Sequence, residues 1–114
     1  MDIKKELNEN VLNVAIIGRL DTNTAPELDQ TLEEDVEKVK EMNFDLKNLD
    51  YISSAGLRVV LKFHKLLSGK GGALNILNPK DEVLEVFDMT GFSTFLNIKE
   101  WLYGSSFRND IRTI

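Results

Sequence analysis

The stretch Leu49-Asp50-Tyr51-Ile52-Ser53-Ser54-Ala55-Gly56-Leu57-Arg58-Val59-Val60-Leu61 decides how the chain is read. Phe44-Asp45-Leu46 reads as a short strand, and Asn48 to Ile52 leads out of it into two serines and two small residues. From Leu57 to Leu67 the chain is rich in Leu, Val, Phe and Lys, with a wide apolar arc that predicts a helix lying largely against a sheet. The serine pair therefore stands between a strand and a helix. In a parallel sheet that end is where ligands and partners bind. Serine is also a favoured helix N-cap, so spacing alone leaves a capping role open for one of the two. Ala55 and Gly56 are small and leave the backbone open to close approach.

Working outward, Ile3 to Leu7 and Val11 to Ile17 read as strands around the turn residues Asn8-Glu9-Asn10, an antiparallel hairpin that Gly18 ends. Thr24-Ala25-Pro26-Glu27 carries helix-start signals: a capping Thr24, Pro26 in the first turn and Glu27 to complete a capping box. Leu28, Leu32, Val36 and Val39 follow at helical spacing and predict a helix to about Glu41. Ser68 to Gly72 ends the second helix, with Gly69 as its left-handed cap. Ala73 to Leu77 is a strand. Asn78-Pro79 starts a helix carrying Val83, Val86 and Phe87, which Gly91 ends, and Phe95 to Ile98 is a last strand. The order β-β-α-β-α-β-α-β predicts one α/β domain over residues 1–114, with a mixed, mostly parallel sheet, crossover helices and an antiparallel edge. Residues 99–114 read as a terminal tail or helix.

Composition narrows the chemistry. The 114 residues carry a net charge of −5, with 42% apolar and 29% charged residues. No basic footprint for nucleic acid or anionic lipid is present. Without cysteine, disulfides and thiolate metal sites are excluded. Met1 to Glu6 lacks the apolar core of a signal peptide, and no run approaches the roughly 20 residues of a membrane helix, so a cytoplasmic protein without membrane insertion is expected.

Catalytic readings fail on spacing. His64 is the single histidine and falls in the apolar arc of its helix, where a packed, hydrogen-bonded role is expected rather than a metal ligand. It lies roughly 15 Å along the axis from Ser54, against about 3 Å for a nucleophile and its base. Gly69-Lys70-Gly71-Gly72 sits between a helix and a following strand, the wrong end of the helix dipole for a phosphate loop.

The deciding stretch resembles the phosphorylation motif of STAS-domain anti-sigma factor antagonists: a hydrophobic strand end, then Asp-Ser-Ser/Thr-Gly-Leu. Gly18-Arg19-Leu20-Asp21-Thr22-Asn23-Thr24-Ala25 resembles the family's loop before its first helix, and Phe87-Asp88-Met89-Thr90-Gly91-Phe92 its Phe-x-Met-Ser/Thr-Gly-Leu/Phe segment. The likeness runs over residues 3–98. It implies that Ser54 is the phosphoacceptor, with Ser53 as second choice, standing where the family places an aspartate. It also implies a partner-binding surface of Asp21, Thr22, Asn23, Ser53, Ser54, Ala55, Gly56 and Arg58. The implied partners are an anti-sigma factor serine kinase of the histidine-kinase-like ATPase fold and a PP2C-type phosphatase. The implied chain is not an enzyme and needs no cofactor or metal. The Asp-to-Ser change at 53 leaves one alternative, a STAS scaffold subunit of a transporter or signalling complex with no phosphorylation cycle.

Overall fold

The computed structural model describes residues 1–99. The expected terminal tail or helix therefore lies, beyond Lys99, outside the described residues. Strand β1 (Asp2–Asn8) and β2 (Val11–Leu20) form the antiparallel hairpin, in the register Asp2 to Ile17 through Asn8 to Val11. Helix α1 (Ala25–Glu33) and a 3₁₀ turn (Val36–Lys38) lead to β3 (Glu41–Asp45). Then come β4 (Leu49–Ile52), α2 (Ser54–Gly69), β5 (Ala73–Leu77), α3 (Asp81–Thr90), a second 3₁₀ turn (Phe92–Thr94) and β6 (Asn97–Lys99).

The sheet order is β1-β2-β3-β5-β6, parallel beyond the hairpin, with β4 pairing β2. Each crossover steps the same way, so connections of one hand place the helices on one face. The alternation agrees. Leu12, Val14, Ile16, Met42, Phe44, Leu74 and Ile76 are buried beneath the helices. Phe44, Phe63 and Phe87 are fully buried and join sheet, α2 and α3, each side chain contributing roughly 2–3 kcal/mol by burial. On the opposite face Asn13, Asn43, Asn75 and Asn97 stand side by side across four strands. Asn43 Nδ2 donates to Asn13 Oδ1 and Asn75 Nδ2 to Asn43 Oδ1, both at 2.8 Å.

The α/β class, the hairpin and the mostly parallel sheet are as expected, and the order gains one strand, β4. It pairs with β2 after a bulge at Gly18 (φ 104°), where β2 leaves β3 and turns to β4. Gly18 therefore bends the strand instead of ending it. The first helix is shorter than expected. Val39 to Glu41 extend back to the sheet, where the Lys40 amide donates to Asn10 O at 2.9 Å, so Val36 reaches the core from the 3₁₀ turn and Val39 from extended chain. At the end of α2, Gly69 remains helical and Gly71 takes the positive φ of 80°. Gly72 has no room for a side chain, since a Cβ would lie 1.7 Å from Lys40 O. Gly91, at φ 83°, ends α3 as expected.

Candidate functional site

The site is built where two adjacent parallel strands leave the sheet. Leu20, the last residue of β2, lies beside Ile52, the last of β4. The Ser53 amide donates to Leu20 O at 2.9 Å, so the loop opened by Asp21 and the serine pair emerge together.

Ser53 is the N-cap of α2, in extended backbone (φ −99°, ψ 176°), and its hydroxyl oxygen accepts the Gly56 amide N–H at 3.3 Å. Ser54 is the first helical residue and its side chain is exposed. The capping role that spacing left open thus falls to Ser53, and Ser54 is free at the surface. Amides of the first helical turn lack intrahelical acceptors and favour an anion there. Gly56 is buried. A Cβ at this position would come within 2.8 Å of Leu20 Cγ and 2.9 Å of Ile52 Cγ1. The close approach it permits is that of the chain's own strand ends to α2. Ala55 is half-buried, while Thr22, Asn23 and Arg58 are exposed.

The 21–24 loop is tied by its own side chains. Asp21 Oδ1 accepts the Asn23 amide at 3.0 Å and the Thr24 amide at 3.1 Å. The backbone N–H of Thr24, aided by Asn23, the Thr24 hydroxyl and Arg19, holds the Asp21 carboxyl below its ordinary value against the opposing effect of desolvation. Thr24 precedes α1 as expected, but its hydroxyl does not cap the helix. It accepts the Asp21 amide and donates to Arg19 O, both at 2.8 Å, so no capping box with Glu27 forms.

Two residues near the serines were not singled out from the sequence. The Arg19 guanidinium lies 4.2 Å from the Tyr51 ring centre, with Nε 3.9 Å from Asp21 Oδ2. The signal would have been the β2–β4 register, which puts Arg19 opposite Tyr51. Asp50 pairs with Lys80 and ties β4 to the start of α3. His64 stands apart from the site. Its ring packs at 5.1 Å from that of Phe95, and the buried Nδ1 has no hydrogen-bond partner among the described residues, contrary to the bonded histidine expected. Among the described residues no group of acids and histidines is arranged to hold a metal, and no helix is long and apolar enough to cross a membrane.

A hairpin-led, mostly parallel sheet with helices on one face and a capped serine pair at its exit defines a class, and the chain belongs to it: the STAS-domain family, whose profile matches residues 2–104. More particularly, the chain is 32% identical over 98 residues to the anti-sigma-B factor antagonist of Bacillus subtilis (strain 168), covering 86% of this chain and 88% of that one. Its fold is that of the anti-sigma factor antagonist SpoIIAA in its unphosphorylated form, with a TM-score of 0.76 at 19% identity over 85% of this chain and 87% of the other. The Bacillus cell fate determinant SpoIIAA in the phosphorylated form superposes with a TM-score of 0.70 at 18% identity, over 85% and 90% of the two chains.

Proposed function

We propose that this chain is an anti-sigma factor antagonist. Unmodified, it binds an anti-sigma factor in the cytoplasm and thereby frees a sigma factor; a phosphate on Ser54 turns that binding off. The observation that carries the reading is the division of the serine pair, with Ser53 spent on the cap and Ser54 exposed on the first turn of α2. The name of the 32% identical relative supports it.

The chemistry belongs to the partner, a serine kinase of the histidine-kinase-like ATPase fold. The Ser54 hydroxyl oxygen attacks the γ-phosphorus of ATP, ADP leaves, and the hydroxyl proton passes to a base on the kinase. A PP2C-type phosphatase hydrolyses the ester and restores the hydroxyl. This chain contributes the nucleophile, its position and the docking surface of Thr22, Asn23, Ser54 and Arg58, with Asp21, Ser53, Ala55 and Gly56 shaping the two loops.

Phosphorylation adds about −1.5 to −2 charges and three acceptor oxygens. The helix N-terminus tolerates them, so the fold need not change. The cost falls on the interface, where a loss of about 3 kcal/mol weakens binding more than a hundredfold. The test is phosphopeptide mapping after incubation with the cognate kinase and ATP. Phosphate on Ser54 is expected, and a Ser54→Ala protein labelled as well as the wild type overturns the reading. Ser54→Glu is expected to keep the fold and weaken binding to the anti-sigma factor, measured by calorimetry.

A further inference from the structure

Ser54 and Arg58 are one turn apart on α2, and both are exposed. Residues four apart on a helix share a face, and an anion ahead of a cation is the more favourable order. Helical side chains also lean toward the N-terminus of their own helix, so a long side chain at 58 reaches back over the turn that carries 54.

Arg58 is also the uncommitted cation of this region. Arg19 is held on the Tyr51 ring beside Asp21, and Lys80 is held by Asp50. The first turn of α2 contains no acidic residue. Among the described residues Arg58 has no hydrogen bond, ion pair or ring contact, although the chain has 19 acids and a net charge of −5.

We infer that Arg58 receives the phosphate carried by Ser54, closing an ion pair within one turn of α2; the inference rests on the reading of Ser54 as phosphoacceptor. The guanidinium fork matches two phosphate oxygens, a geometry that a lysine cannot copy. Phosphorylation then changes the docking surface twice. It adds an anion, and it withdraws the one arginine of α2 that the unmodified chain presents to a partner.

The test separates the two claims by installing phosphoserine at position 54 during translation, so that no kinase is needed. The second ionisation of the phosphate is followed by phosphorus NMR at low salt. It is expected about 0.3 pH unit or more higher in Arg58→Gln than in wild type, with Arg58→Lys between them, and the difference should shrink in roughly 1 M salt. A role of Arg58 in stability alone would leave the ionisation unmoved. Superimposable titrations for wild type and Arg58→Gln overturn the inference while the phosphoacceptor reading stands. An unmodified Ser54 in protein incubated with its kinase and ATP overturns that reading, and the use of Arg58 with it.

Discussion

The Ser53 hydroxyl oxygen accepts the Gly56 amide at 3.3 Å, and this bond fixes which of two adjacent serines is held and which is offered. An N-cap bond of this kind is worth about 1 kcal/mol. Ser53→Ala is expected to lose that amount and to melt roughly 4 °C lower. Ser53→Asp keeps a capping oxygen and should melt within a degree or two of wild type. Thermal melts followed by circular dichroism check both, and an alanine variant as stable as wild type would show that the bond carries no weight.

Gly56→Ala is expected to destabilise the domain by about 2 kcal/mol, although alanine is the better helix former by about 1 kcal/mol. The added methyl meets Leu20 and Ile52 side chains within 3 Å and the Leu20 carbonyl oxygen at 3.0 Å. The last contact is backbone and cannot rotate away. Urea denaturation reads the loss, and a gain in stability would mean that the strand ends yield easily.

Asp21 predicts a pH dependence. The Thr24 amide, with its companions, favours the charged carboxylate in the folded chain, below the ordinary value of 3.8. A group depressed in this way stabilises the fold fully above its unfolded value, and the benefit is lost as pH falls through the folded value. Asp21→Asn should therefore melt below wild type at pH 7, and the gap should close as pH is lowered past 3.8. A gap constant from pH 7 to pH 3 would assign the effect to something other than the charge.

Asn75 is 4% exposed, and its Nδ2 donates to Asn43 Oδ1 at 2.8 Å and to Glu41 Oε2 at 2.6 Å. Asn75→Asp replaces both donors by an acceptor and sets a second carboxylate beside Glu41. The expected cost at pH 7 is about 3 kcal/mol. Burial and the Glu41 charge raise the new carboxyl's pKa, so its protonated form is favoured in the fold and stability should recover as pH falls. Urea midpoints at pH 7 and pH 5 test the sign.

Sequence reasoning found the hairpin, α2, β5 and α3, because their apolar residues keep one period and end on turn residues. It failed where buried residues follow neither period. In β4, Leu49 and Ile52 are buried while Asp50 and Tyr51 are exposed, a spacing that is neither strand alternation nor helix. Val36 and Val39 continue the helical spacing of Leu28 and Leu32 and are buried, yet they reach the core through a 3₁₀ turn and extended chain. The serine pair itself was legible, and the family resemblance put Ser54 ahead of Ser53; which of the two caps the helix was not, because helix starts are read only to within a residue or two. The Arg19–Tyr51 stack depended on β4, and so was missed with it.

The four asparagines across the sheet have a consequence for how the chain assembles. Their strands are far apart in sequence, and parallel pairing must choose a register without a tight turn to impose it. A shift of one residue would drive carboxamides into the layer beneath the helices and turn Leu12, Met42 and Leu74 outward. A shift of two would keep the faces but set Asn43 against Val11 or Ala15 on one side or Ala73 or Leu77 on the other, breaking its carboxamide bond to that neighbour. In the native alignment the carboxamides of Asn13, Asn43 and Asn75 meet one another, so a slipped register forfeits polar bonds on one face as well as packing on the other.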